Sequence, residues 1–139
     1  MGDFDFKVID VEVEIQHIID EIKKYFVENG NKDTKAVIGI SGGKDSTIAA
    51  ALLVRALGAD RVIGVKMPNG TQSDIDDAVE VCNLLGIRHF NINIGDAYNH
   101  LIADFMNNNL NVNSQIETNT PARLRMTTLI WSRLQLAVE

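Results

Sequence analysis

The chain has 139 residues, with 13 Lys and Arg against 19 Asp and Glu, so its formal net charge is −6 at pH 7. This acidic balance disfavours a nucleic-acid-binding protein, which normally carries a basic surface. The single cysteine, Cys82, excludes an internal disulfide and a cysteine-rich zinc site. No apolar run reaches the roughly 20 residues of a membrane helix, and charges interrupt residues 1–10, where a signal peptide would be apolar. We therefore expect one cytoplasmic domain over residues 1–139, without nucleic-acid or membrane partners.

Helices and strands alternate in the predicted chain order. Apolar residues at helical spacing indicate a first helix over residues 11–28. The run 36–40 is apolar on both faces, as in a central parallel strand, and a glycine turn follows it. The same reasoning predicts further strands at 61–67 and 89–94, and further helices at 47–57, 74–85 and 96–106. This alternation predicts an α/β fold with a parallel sheet and flanking helices.

The C-terminal third is predicted to contain a long loop and one more helix. Residues 107–119 include six asparagines, which tolerate turn conformations, so we expect a loop there. Thr120 and Pro121 are typical of a helix N-cap followed by the first helical residue, and the last helix would run from there to the C-terminus. Cys82 has apolar spacing with Val79 in its predicted helix, so we expect it in the core.

The turn after the first strand has the residue types of a phosphate-binding loop. It leaves the carboxyl end of a parallel strand and enters a helix N-terminus, where open α/β sheets bind ligands. Its glycines allow close approach of the backbone, and the helix dipole favours an anion. Ser41 and Ser46 supply hydroxyl donors, and Lys44 supplies a positive charge. Asp45 would repel phosphate by itself but is suited to hold Mg²⁺, which bridges carboxylate and phosphate.

Two common nucleotide motifs do not match this turn. The Walker loop requires glycine at position 38, which is Ile38, and Ser or Thr where Asp45 stands. The dinucleotide fingerprint requires a Gly-x-Gly pair at the start of the turn, and none is present. A tight strand-to-helix turn with incidental polar residues is the alternative interpretation. We prefer pyrophosphate binding because every residue type in the turn suits it.

The segment Ser-Gly-Gly-Lys-Asp-Ser at 41–46 resembles the pyrophosphate loop of the N-type ATP pyrophosphatases, which include NAD, GMP and asparagine synthetases and tRNA-thiolating enzymes. Residues 65–72, followed by 74–78, are similar to the second-strand region of ammonia-dependent NAD synthetases. Residues 119–129 are similar to the motif at the deamido-NAD site of that family. The resemblance runs from about residue 11 to residue 129. It implies a Rossmann-like, adenine nucleotide alpha-hydrolase-like fold.

The resemblance also implies roles for individual residues. Lys44 and Asp45 would be catalytic, and Asp45 would hold Mg²⁺. Arg123 and Arg125 would contact deamido-NAD at the interface of a homodimer; the alternative for both is an exposed helix face. ATP would be bound by ten residues: Gly39, Ile40, Ser41, Gly42, Gly43, Lys44, Asp45, Ser46, Lys66 and Gln72. For Lys66, the alternative is a lysine that faces solvent.

The implied reaction is the ATP-dependent amidation of deamido-NAD with ammonia through an acyl-adenylate, giving NAD, AMP and pyrophosphate. ATP is the co-substrate and Mg²⁺ the cofactor, and ammonia would arrive free or from a separate partner. Because family members are longer, a second hypothesis is a chain truncated after the third strand, which at most binds ATP–Mg²⁺. Its first strand would then have an unpaired edge. A third hypothesis, a generic nucleotide-binding module, would not require the arginine motif at 119–129.

Overall fold

The computed structural model describes residues 8–71 and 75–136. Within these ranges three strands alternate with the first four of five helices, in the order that the sequence predicts, and a short 3-10 turn, Ala59–Arg61, precedes the second strand. The elements are α1 (Val11–Asn29), β1 (Ala36–Gly39), α2 (Lys44–Leu57), β2 (Val62–Lys66), α3 (Ile75–Leu85), β3 (Arg88–Asn91), α4 (Gly95–Asn107) and α5 (Ser114–Leu136).

The three strands form one parallel sheet in the order β1-β2-β3. Ala36 lies opposite Val62, and Ile63 lies opposite Arg88. Every residue of the central strand β2 is buried, as expected for a strand with helices on both faces. The predicted Rossmann-like parallel sheet with flanking helices is confirmed. Within the described residues β1 pairs only with β2, so its other edge has no strand partner there.

The core lies between the sheet and helices α2 and α3. Cys82, with 0% of its surface exposed, is in this core as predicted. A Cβ atom built on Gly64 of β2 would lie 3.1 Å from the Cys82 sulfur, so α3 packs closely on the sheet. Burial raises the pKa of the Cys82 thiol, and the positive charge of Lys66 opposes this shift.

Helix α5 covers the opposite face of the sheet. Successive strand residues point to opposite faces, and Ile38 pairs with Gly64 while Gly39 pairs with Val65. A Cβ atom built on Gly39 would lie 3.5 Å from a methyl carbon of Leu129 in α5. Helix α5 therefore packs over β1, close to the point where that strand ends.

The start of α5 differs from the prediction. The helix begins at Ser114, so the predicted loop was wrong for residues 114–119, and Pro121 lies inside the helix instead of at its start. Asn113 explains the earlier start, because its side-chain oxygen accepts the Ile116 N–H at 3.0 Å and its carbonyl accepts the Glu117 N–H at 3.1 Å. The loop between α4 and α5 is limited to residues 108–113.

Three further boundaries bear on the site. Helix α2 begins at Lys44, three residues before its predicted start, so Lys44 and Asp45 belong to its first turn. Strand β3 ends at Asn91, before the predicted end at Ile94. Residues 72–74 lie outside the described residues, which leaves the predicted start of the 74–85 helix without a structural description. Among the helices of the described ranges, none combines the length and apolar character required to cross a membrane.

Candidate functional site

The loop between β1 and α2 turns sharply at the carboxyl end of the sheet. The Ile40 N–H donates to the Val65 carbonyl at 2.9 Å, which extends the strand pairing by one residue. The chain then turns at Gly42, whose φ of +84° is in the region that favours glycine. Gly43 is the N-cap residue of α2. The predicted loop, 41–46, thus connects the buried strand directly to a helix N-terminus.

Two serines close this loop through hydrogen bonds. The Ser46 Oγ accepts the Ser41 N–H at 3.2 Å, lies 3.0 Å from the Ser41 Oγ, and donates to the Gly43 carbonyl at 3.2 Å. The Gly43 N–H donates to the Ser41 Oγ, also at 3.2 Å. Sequence reasoning assigned both hydroxyls to a phosphate. The structure shows that they also hold the loop in shape, which reduces the ordering that a ligand must impose.

The N-terminus of α2 provides the electrostatics expected of an anion site. The first N–H groups of a helix have no intrahelical acceptor, and no side chain in the described residues caps this end. Together with the helix dipole, these donors favour negative charge. Lys44 and Asp45 are both exposed on this first turn.

A cleft of about 400 Å³ opens beside the loop. Loop residues, the end of β2, helix α3 and helix α5 all contribute to it, and its volume is in the range of small-molecule sites. It is lined by Gly39, Ile40, Ser41, Lys66, Met67, Pro68, Ile75, Ala78, Arg125 and Leu129. Five of the lining side chains that complete the cleft, Met67, Pro68, Ile75, Ala78 and Leu129, were not predicted as site residues.

Lys66 is the unusual residue of this cleft. It is only 6% exposed, which excludes the alternative of a lysine that faces solvent. Within the described residues its ammonium makes no salt bridge, and no Asp or Glu is among the residues that line the cleft. No buried side-chain nitrogen or oxygen in the described residues lacks a hydrogen-bond partner, so the Lys66 ammonium reaches the surface of the cleft, where it is available to an anionic ligand. Burial lowers the pKa of His89, on the neighbouring strand, and the Lys66 charge lowers it further.

An asparagine clamp holds the chain that follows β2 in place. The Asn93 side-chain oxygen accepts the N–H groups of Gly70 at 3.0 Å and Gly95 at 2.8 Å, and its amide donates to the Gly70 carbonyl at 3.0 Å. The Ile94 N–H donates to the Pro68 carbonyl at 2.9 Å. The clamp fixes the 68–70 turn against the start of α4. Sequence reasoning missed Asn93; its only signal is an Asn two residues before a glycine at a helix start.

The two arginines of the 119–129 motif lie on different sides of α5. Two helical residues that are two positions apart in the sequence are rotated by about 200° around the helix axis. Arg125 lines the cleft, and its Nε donates to the Met67 carbonyl at 3.0 Å. Arg123 is exposed and lines a separate groove, beside Leu101 of α4 and Asn113. The structure therefore brings Arg125, but not Arg123, together with the loop and Lys66. Both lie inside the helix and not at its start.

A magnesium ion that is shared with a phosphate ligand would require only one or two carboxylates from this chain. No group of three or more His, Cys, Asp or Glu residues that could hold a metal occurs within 8–71 and 75–136. Mg²⁺, however, often takes one or two carboxylates and completes its coordination with substrate phosphates and water. Asp45, exposed at the open N-terminus of α2, is suited to that role. Gln72, the remaining predicted ATP ligand, lies outside the described residues.

The sequence matches the NAD synthase family over residues 14–135. It is 38% identical over 115 residues to an NH(3)-dependent NAD(+) synthetase of Pyrobaculum aerophilum, which covers 79% of this chain and 41% of that protein. A second relative, from Alkaliphilus metalliredigens, has the same description and is 30% identical over 132 residues, covering 87% of this chain and 51% of that protein.

Two solved structures have a similar fold. An NH3-dependent NAD synthetase of Campylobacter jejuni superposes with a TM-score of 0.78 at 27% identity, over 91% of this chain and 54% of that one. An NMN synthetase of Francisella tularensis superposes with a TM-score of 0.77 at 29% identity, over 91% and 51%. The chain therefore spans about half the length of the relatives that it matches.

Proposed function

Because the chain belongs to the NAD synthase family, we propose that it forms one synthetase domain that amidates deamido-NAD with ammonia at the expense of ATP. The observation that carries this proposal is the cationic cleft beside the 41–46 loop. It combines a buried lysine that has no acidic partner in the described residues with an open helix N-terminus. Both features favour a polyphosphate ligand.

ATP would occupy this cleft. The segment 39–46 would surround the phosphates with backbone N–H groups and the serine hydroxyls, and Lys66 would neutralise part of their charge. Lys44, on the first turn of α2, would add a second cation beside the terminal phosphates, and Gln72 would contact the nucleoside. Asp45 would hold Mg²⁺, which neutralises phosphate charge when it is bound.

The chemistry proceeds in two displacements. The nicotinate carboxylate of deamido-NAD attacks the α-phosphorus, and the bond from that phosphorus to the pyrophosphate oxygen breaks. Ammonia then attacks the acyl carbon of the adenylate; a C–N bond forms, the C–O bond to AMP breaks, and ammonia loses a proton. The loop N–H groups and Lys44 stabilise the charge that develops on pyrophosphate. This scheme uses no protein nucleophile, which agrees with the complete burial of Cys82.

Deamido-NAD would lie partly against α5, with Arg123 as a contact in its exposed groove. We assign this groove to a homodimer interface, because it adjoins a larger apolar groove of about 780 Å³ along the same helix. Trp131 lines the apolar groove and is 71% exposed, which is unusual for so large an apolar side chain. Light scattering during gel filtration tests this assignment: we expect twice the 15.4 kDa chain mass, and a Trp131→Glu variant should elute as a monomer.

A turnover assay tests the proposed reaction. The chain is mixed with ATP, Mg²⁺, ammonium and deamido-NAD, and NAD and AMP are measured together. We expect equal amounts of both products, and at least a 100-fold loss of rate in Asp45→Asn, within the usual range for a lost electrostatic contact in catalysis. Because an NMN synthetase is among the similar structures, nicotinate mononucleotide is offered in a parallel reaction as the competing acceptor.

A second candidate function is binding of ATP–Mg²⁺ without turnover, which the cleft and the open N-terminus of α2 would support without a second substrate. In that case no NAD forms, but calorimetry detects Mg²⁺-dependent ATP binding that Asp45→Asn abolishes. A wild-type chain that does not bind ATP would contradict both candidates.

A further inference from the structure

We propose that Arg125 binds the α-phosphate of ATP, and so belongs to the nucleotide cleft and not to the dinucleotide site to which its motif assigns it. This inference rests on the proposed function, since it takes ATP as the occupant of the cleft. Arg125 would then bind a different ligand from Arg123, although the sequence motif assigns both arginines to one site.

The first argument is the way in which Arg125 is held. Its Nε donates to the Met67 carbonyl at 3.0 Å, directly after the strand that carries Lys66. This bond uses one of the five guanidinium donors and fixes the plane of the group. The two terminal amino groups keep the parallel geometry that matches a pair of phosphate oxygens. Arg125 is also partly buried, so its side chain is already ordered before a ligand binds.

The second argument is charge. The described lining of the cleft contains two cations, Lys66 and Arg125, and no carboxylate, although the chain as a whole carries a net charge of −6. Two cations that line one cleft repel one another, and a bound anion would relieve that repulsion. The cleft therefore favours a negatively charged ligand.

The third argument places that negative charge on ATP. The helix N-terminus and the exposed Lys44 lie at the loop end of the site and suit the terminal phosphates. The lining also has apolar residues that suit the nucleoside, Pro68, Ile75 and Ala78 among them. The α-phosphate joins these two parts of ATP, so we place it between them and assign it to the two cations of the lining, Lys66 and Arg125. Arg123 cannot share this task because it lines the separate groove between α4 and α5.

Binding measurements with fragments of ATP test the assignment. ATP, AMP, adenosine and pyrophosphate are titrated against wild type and Arg125→Met, which keeps an unbranched apolar side chain beside Leu129. Loss of a bidentate charged contact should weaken ATP and AMP by about tenfold or more. Adenosine and pyrophosphate, which lack an α-phosphate, should change by less than about twofold. Arg133→Met is the matched control, because it removes the same charge from an exposed position on the same helix.

The remaining outcomes contradict either the role of Arg125 or the proposed function itself. Unchanged ATP and AMP affinity in Arg125→Met contradicts the role of Arg125 but leaves the proposed function intact. An equal loss for all four ligands indicates a distorted cleft and also contradicts it. Arg125→Lys covers the case in which the methionine variant does not fold. It keeps the positive charge but not the two parallel N–H donors of the guanidinium, so it should lose only part of the affinity for ATP and AMP. A wild-type chain that binds none of the phosphorylated ligands refutes the proposed function itself.

Discussion

The approach of Gly95 to the 68–70 turn predicts that Gly95→Ala destabilises the fold and damages the cleft together. A Cβ atom at position 95 would lie 2.6 Å from the Gly70 backbone nitrogen and 2.9 Å from the Asn93 Oδ1. The first distance is 0.8 Å short of the 3.4 Å at which ordinary van der Waals contact begins. Since Gly70 contributes backbone atoms, the turn itself must move.

Two opposing contributions decide the magnitude. Moving the turn strains or breaks the three hydrogen bonds of Asn93, which contribute about 1 kcal/mol each. Alanine in a helix is favoured over glycine by up to about 1 kcal/mol, and position 95 is the first residue of α4. We expect the loss of the clamp to dominate, with a net destabilisation of about 1–2 kcal/mol. For a chain of this length that corresponds to a fall in Tm of roughly 3–10 °C.

Thermal unfolding followed by circular dichroism measures this change, and ATP titration of the folded variant measures the effect on the cleft wall. Asn93→Ala should reproduce both effects, because it removes the same three hydrogen bonds. Asn99→Ala is the control, since it places alanine at an exposed position of the same helix. A Gly95→Ala variant that melts at or above the wild-type temperature, with normal ATP affinity, would show that the clamp is not a significant constraint.

Three further predictions concern the ionisable groups beside the cleft. Lys66→Met should leave stability nearly unchanged, because the Lys66 ammonium makes no salt bridge in the described residues and methionine keeps most of the buried aliphatic side chain. Calorimetry should show ATP affinity about 10–100-fold lower, and unchanged affinity would contradict a role for Lys66 in ATP binding. The raised pKa of Cys82 means that unfolded chains ionise first, so urea denaturation should show stability falling as the pH rises above about 9, and a Cys82→Ala variant should lack that decline. The lowered pKa of His89 means that unfolded chains bind the proton more tightly, so stability should be complete above about pH 6.5 and should fall as the pH drops below it; an identical acid decline in His89→Asn would contradict this.

The features that the sequence predicted best are local ones. The strand at 36–40, the glycine turn and the helix after it are specified by neighbouring residues, so their order could be read without knowledge of the rest of the chain. The structure agrees with that order and shifts the start of α2 to Lys44. The shift matters little for the prediction, because the same residues occupy the strand-to-helix junction in either case.

The arginine motif shows where local reasoning failed. Thr120 and Pro121 fit a helix start, and that interpretation placed both arginines near the beginning of the helix. The actual start depends on Asn113, whose cap was hidden among several asparagines. A spacing of two residues requires different faces for Arg123 and Arg125 whether the helix begins at Thr120 or at Ser114. The motif, and not the helix boundary, led to one site being assigned to both arginines.

The cleft could not be predicted from any single segment of the sequence, because residues from several separate segments line it. Its walls come from the first strand's loop, the end of β2, α3 and α5, and the turn after β2 is held by Asn93 from the far side of β3. Lys66 illustrates the consequence. By the pattern of its strand it could have been an exposed terminal residue, and only the packing of neighbouring elements shows that it is buried without an acidic partner among the described residues. The segment that contains Lys66 specifies its strand, whereas the burial of its aliphatic stem and the opening of its ammonium to the cleft depend on residues that are distant in the sequence. Local patterns therefore predicted the strand, and only the assembled fold shows that Lys66 lines the cleft.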